Sequence, residues 1–257
     1  MKFFVGLFLT ICVITLGIFL ITPSTQGQKE QKDDATPVTR GQVTEKEKAY
    51  SKEYKKIYAD REGNKLGEAS KIGNKRGWTK EIGVSIGIPS VPSLMNQPEI
   101  SAWDFLQNLG CNADAVVVGT AISNSSHMLD DETFVYTEYE FQVSEILKNN
   151  SVSSIEVDKN VQITRPGGFI KLDNQLIRVT NQSYETLQLK KSYLLFLKYV
   201  PGADGYIVSD SKGDFSLENN SFRSLSKQSL PNDLKNGRNR DELINNTRNA
   251  VLGGCKS

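Results

Sequence analysis

Histidine is almost missing from this chain, with a single residue, His127, in 257. Cysteine is scarce as well, with Cys12, Cys111 and Cys255 as the full set of three. These shortages exclude the usual His and Cys ligand sets of zinc and leave no second histidine for a thiol or hydroxyl nucleophile to use. A Gly-x-Ser-x-Gly nucleophile elbow is also absent. His127 lies in the stretch Ser125-Ser126-His127-Met128-Leu129-Asp130-Asp131-Glu132, whose acids lack the spacing of a calcium loop. It reads as a solvated loop histidine, and neither a metal nor a cofactor is expected. Excess charge of either sign is missing too, since 31 Lys and Arg face 30 Asp and Glu. No overall field draws nucleic acid, so nucleic acid is not an expected partner. Neither a fixed-period repeat nor a sustained heptad occurs, which excludes solenoids and coiled coils.

What the chain does have begins at residues 3 to 22, FFVGLFLTICVITLGIFLIT, an uncharged apolar run behind Met1-Lys2. That order is the signature of export. The run matches the roughly 20 residues of a spanning helix and exceeds the usual core of a cleavable signal. Two readings stay open: cleavage after Thr25-Gln26-Gly27, with a mature start at Gln28, or an uncleaved membrane anchor. Either way the remainder is expected outside the cytoplasm, as a periplasmic, cell-surface or secreted protein.

Residues 28 to 98 read as a polar linker with a helix near 44 to 62. Thr44-x-x-Glu47 has capping-box spacing, and Tyr50, Tyr54, Ile57 and Tyr58 follow on one helical face. That stripe either meets a partner or lies on the chain's own barrel. Residues 63 to 98, rich in Gly and Pro, are expected to be irregular. A β domain is expected over 99 to 225, opened by a short helix at 99 to 109 with a stop at Gly110. Strands are expected at 115 to 122, from 133 onward in strict alternation, and at Ile155-Val157, Val161-Ile163, Leu176-Val179, Tyr193-Leu197 and Tyr206-Val208. Short strands at such spacing indicate a small barrel or sandwich. A helical tail, 226 to 257, carries a helix near 240 to 252.

Cys111 and Cys255 are expected to pair in an oxidising compartment, the alternative being a buried thiol at 111 and a loose one at 255. Thr164-Arg165-Pro166-Gly167-Gly168-Phe169 places a guanidinium and an aromatic ring beside two glycines. Arg165, Gly167, Gly168 and Phe169 are therefore the candidate contact residues, because Arg offers a planar fork and glycine lets another backbone approach. The plainer reading is a tight turn with an Arg on its rim. No catalytic residues are assigned. Glu138 and Glu140 read as solvent-facing residues of one strand face.

Three blocks, Ala113-Asp114-Ala115-Val116-Val117-Val118-Gly119-Thr120, Tyr139-Glu140-Phe141-Gln142-Val143 running into Ile146-Leu147-Lys148, and Ser192-Tyr193-Leu194-Leu195-Phe196-Leu197, carry a resemblance. Residues 110 to 217 resemble bacterial exported proteins with a netrin-like barrel, of the oligonucleotide/oligosaccharide-binding (OB) type shared with the tissue inhibitors of metalloproteases. The resemblance implies a small closed antiparallel barrel with short flanking helices, presenting loops. Those inhibitors chelate the protease zinc through a mature N-terminal cysteine, and here the first domain cysteine, Cys111, lies far inside the chain. The functional expectation is a non-catalytic exported or tethered binding module, whose partner is another envelope or extracellular protein. The alternatives are a carboxylate-based hydrolase, and a protease inhibitor or assembly factor acting through loops or the helix at 44 to 62.

Overall fold

The computed structural model describes residues 36–37, 43–58, 82–86, 100–129, 131–150, 155–181, 185–208, 212–227, 230–237 and 239–255, with 57, 58, 82–86, 235 and 236 described by their backbone alone. The apolar run at 3 to 22 and the expected cleavage site at 25 to 27 lie outside these residues. Among the described residues no helix is long and apolar enough to cross a membrane.

Capping decides where the helices start. In α1 (Glu45–Tyr58) the Thr44 amide donates to Glu47 Oε2 at 2.7 Å and the Glu47 amide to Thr44 Oγ1 at 3.2 Å, the reciprocal box that the spacing predicts. Helix α2 (Ala102–Asn112) is capped by Ser101, which accepts from the Asp104 amide. It runs through Gly110 instead of stopping there, because this glycine is where α4 (Arg240–Leu252) crosses: a Cβ on Gly110 would overlap the Val251 side chain. The α2 carbonyls are satisfied from a distance, Lys148 donating to Gly110 O at 2.6 Å and Ala113 O at 2.7 Å. Helix α3 (Asn232–Lys235) is a single turn.

The architecture is mainly β, in two sheets with short helices. The larger contains β3 (Ala115–Met128), β4 (Val135–Asn149), β5 (Asn160–Pro166), β8 (Ser192–Val200), β9 (Gly205–Val208), β10 (Asp214–Glu218), β11 (Ser221–Ser224) and β12 (Asn236–Gly237), in the order β12-β11-β10-β8-β3-β4-β5-β9, and β9 also pairs with β8. The β5–β9 pairing is parallel, where all-antiparallel neighbours were expected. The smaller sheet is the antiparallel hairpin of β6 (Gly168–Leu172) and β7 (Gln175–Asn181), flanked in parallel by β1 (Thr36–Pro37) and β2 (Ile82–Ile86). Asp173 and Asn174, at φ 48° and 63°, make its turn, as type I′ geometry requires.

The unbroken apolar run of β3 follows from coverage of both faces. Val116 and Val118 pack with α2, α4, Leu194 and Phe196, while Ala115, Val117 and Ala121 face an interior shared with Tyr139, Phe141, Ile163, Tyr193, Leu195 and Tyr206. A bulge lies between Val118 and Gly119, where a side chain would strike the Gln142 carbonyl and the Phe141 ring. The strand then continues past 122, because Ser123 to Ser126, expected as a turn, pair with Glu140 to Thr137 on β4. Ile155-Val157, expected as a strand, is not one, although Ile155 is buried in the interior. Two segments assigned to linker have partners of their own: β2 lies in the stretch expected to be irregular, and α1 contributes Tyr50 and Tyr54 to a third apolar cluster with Phe134, Tyr136, Ile170, Ile177 and Ile207. Residues 34 to 257 form one compact unit.

Candidate functional site

Strand alternation decides the fate of Arg165. Ile163 points into the interior with 0% exposure, and Arg165, two residues on, takes the same side of β5. Its guanidinium is 1% exposed and lies 2.7 Å from Asp214 Oδ2, whose side chain is 0% exposed. The side chain read as a rim contact is instead half of an interior ion pair tying β5 to β10. Burial pushes the neighbouring Tyr139 hydroxyl up to about 12, with the Arg165 charge working against that shift.

The two glycines serve the chain's own path from β5 into the hairpin. Gly167 and Gly168 hold φ of 96° and 148°, and a Cβ on Gly168 would run into the hydroxyls of Thr137 and Ser126. Those hydroxyls hold the corner, Thr137 Oγ1 donating to Gly167 O at 2.7 Å and Ser126 Oγ accepting from the Phe169 amide at 3.1 Å. Phe169 remains partly exposed, and a guanidinium does lie over its ring, 4.6 Å from the centroid, but it comes from Arg178 across the β6–β7 hairpin. The aromatic and cation pairing expected here thus exists with a different arginine. The signal for it was the Asp173-Asn174 turn, which brings Phe169 opposite Arg178.

The Tyr stripe of α1 packs onto the sheets. Tyr50 is 0% and Tyr54 2% exposed, and the Tyr54 hydroxyl donates to Thr164 Oγ1 at 2.8 Å. Tyr54 stacks on Tyr136 at 5.4 Å between centroids. A partner therefore does not meet this face while α1 is docked. The side chains of Ile57 and Tyr58 lie outside the described residues.

His127 is the residue whose role the sequence reading missed. It sits on β3, not in a loop, with its ring stacked on Tyr136 at 5.3 Å. Its Nδ1 donates to Glu47 Oε1 on α1 at 3.0 Å, and its Nε2 lies 2.9 Å from Ser125 Oγ. Lys46 to Glu138 at 2.8 Å and Lys55 to Asp131 at 3.2 Å add two ion pairs between α1 and the segment from β3 to β4. Among the described residues no three His, Cys, Asp or Glu gather to hold a metal.

No protein-family model and no curated protein matches this chain.

The cysteines come together as expected: Cys111, at the end of α2, and Cys255, beyond α4, form a disulfide with Cα atoms 5.5 Å apart. Gln107 Nε2 adds a hydrogen bond to Gly254 O at 2.8 Å, so the C-terminal segment is held to α2 at two points.

Two carboxylates at the α1 contact give the helix a pH response. Burial pushes the Glu47 carboxyl up, but hydrogen bonds from Thr44 and His127 outweigh it and hold it below the usual carboxylate range. At Asp131, burial acts upward in the same way and is outweighed by Thr133 and Lys55. A carboxylate depressed in the folded state stabilises above its unfolded value, and that contribution is lost as pH falls through the folded value. Hydrogen exchange in residues 45 to 56, corrected for intrinsic rates, is expected to speed up below about pH 4 while β3, β4 and β8 stay protected. Equal loss of protection in both would show that these two carboxylates do not govern docking.

Proposed function

We propose that this chain is an exported, non-catalytic binding module built on a small closed barrel of the OB, netrin-like kind. The observation that carries the reading is the cycle of pairings β3–β4–β5–β9–β8–β3, in which each of five strands has two neighbours within the set. The parallel pair in that cycle joins its third and fifth strands in chain order, β5 and β9, the connectivity of OB barrels. The interior is filled by the chain's own side chains, so ligand contacts fall to loops and outer faces. Helices α2 and α4 lie side by side on the outside, joined by the disulfide.

Export is supported by the apolar run at 3 to 22 together with the Cys111–Cys255 disulfide, a bond that persists in oxidising compartments. The partner is another envelope or extracellular protein, and the membrane enters through residues 3 to 22 when these are retained. The hydrolase alternative needs two converging acids, one of them protonatable near neutral pH. Among the described residues the fully buried acid is Asp214, and Arg165 neutralises it.

Intact mass of the protein from fractionated cells, with and without reductant and alkylating agent, tests the reading. A chain that starts near Gln28, or a full-length chain in the membrane fraction, with both domain cysteines protected until reduction, is the expected result. Full-length soluble cytoplasmic protein with free thiols overturns it.

A further inference from the structure

We propose that β1, α1 and β2 are the docking elements of an exchangeable arm, and that the barrel end holding these three elements also accepts those of a second copy of this chain. Every donor element, β1, α1 and β2, lies before residue 87, and the residues that receive them belong to the barrel and its hairpin. β1 and β2 add in parallel to the two free edges of the β6–β7 hairpin, the geometry by which an extended segment is captured from elsewhere. β2 pairs over its whole length, Ile82 with Ile177 through Ile86 with Asn181.

The fit identifies the occupant. Lys46 meets Glu138 and Lys55 meets Asp131, a match of sign at two separate points along one helix, and Glu47 hydrogen-bonds to His127. Shape agrees, since Gly205 leaves room for the Tyr50 hydroxyl, which a Cβ there would overlap, and Tyr54 reaches Thr164. A surface matched this closely to α1 selects α1, whichever copy supplies it. The arm is joined to α2 through residues 87 to 99, a length of chain that extends to about 45 Å. That matches the roughly 44 Å width of a compact unit of this size, enough to carry the arm onto an adjoining copy. Docking within one chain and exchange between two make identical contacts, so concentration sets the balance, the usual route to a domain-swapped dimer.

Charge reversal separates exchange from docking in cis. One full-length variant carries Lys46→Glu and Lys55→Glu, a second carries Asp131→Lys and Glu138→Lys, and each bears a different affinity tag. Either variant alone is mismatched both in cis and with itself, while the two together restore the match only in trans. Co-expression is expected to recover the mixed pair about tenfold or more above either variant with itself. Recovery of the mixed pair no greater than of the self pairs overturns the proposal. A variant that is insoluble alone keeps the test intact, because rescue of its solubility by the other supports exchange and failure of rescue overturns it. The chain with all four reversals, matched again in cis, is expected to keep the wild-type thermal midpoint.

Discussion

Replacing Arg165 by Met, or Asp214 by Leu, is expected to lower the unfolding free energy by about 3–5 kcal/mol, while replacing both together leaves it within about 1 kcal/mol of wild type or above it. The asymmetry comes from burial. With the guanidinium 1% and the carboxylate 0% exposed, either charge left alone sits in the interior without its counter-ion, whereas two apolar side chains of similar volume need no solvation. Urea midpoints of the two single variants and the double variant test this as a double-mutant cycle. Additive losses would mean that the two side chains stabilise the fold separately. The same variants decide the role of Arg165: loss of partner capture by Arg165→Met at unchanged stability would restore it as a contact residue.

Replacing both Cys111 and Cys255 by Ser is expected to cost about 5 kcal/mol on the chain-entropy model. The cross-link spans a sequence separation of 144, so its removal frees a long closed loop in the unfolded chain. Because that effect lies in the unfolded state, the α2–α4 contacts, including Gln107 to Gly254 O, are expected to persist in the folded double variant. The urea midpoint of the variant, and that of wild type in reductant, should fall together. A wild-type midpoint indifferent to reductant would show that the bond does not close this loop in solution.

The strands that built the resemblance were legible because their signal is local. β4 alternates over a long run, and β3 and β8 are apolar on both faces because both faces are covered. The resembling blocks also prove to be structural: Asp114 accepts the Tyr199 amide at 2.9 Å, Gly119 sits at a bulge, and Lys148 caps α2. β10, β11 and β2 are four or five residues long, and nothing within such a segment names its partner strand. The burial of Arg165 was partly legible, since Ile163 two residues earlier marks the inner face of β5, but the loop-like Pro-Gly-Gly that follows drew the reading outward.

By itself the sequence determined the mainly β class, the capped helix at 44 and the helix near 240, and it left the pairing of Cys111 with Cys255 as the favoured of two readings. Each of these rests on short-range pattern or on there being few candidates. Tertiary structure alone decided that Arg165 faces Asp214, that Arg178 supplies the cation over Phe169, and that His127 faces Glu47 across 80 residues of chain. Those pairings come from strand register and helix docking, in which the free energy of burying apolar faces selects the arrangement and the polar partners follow from it.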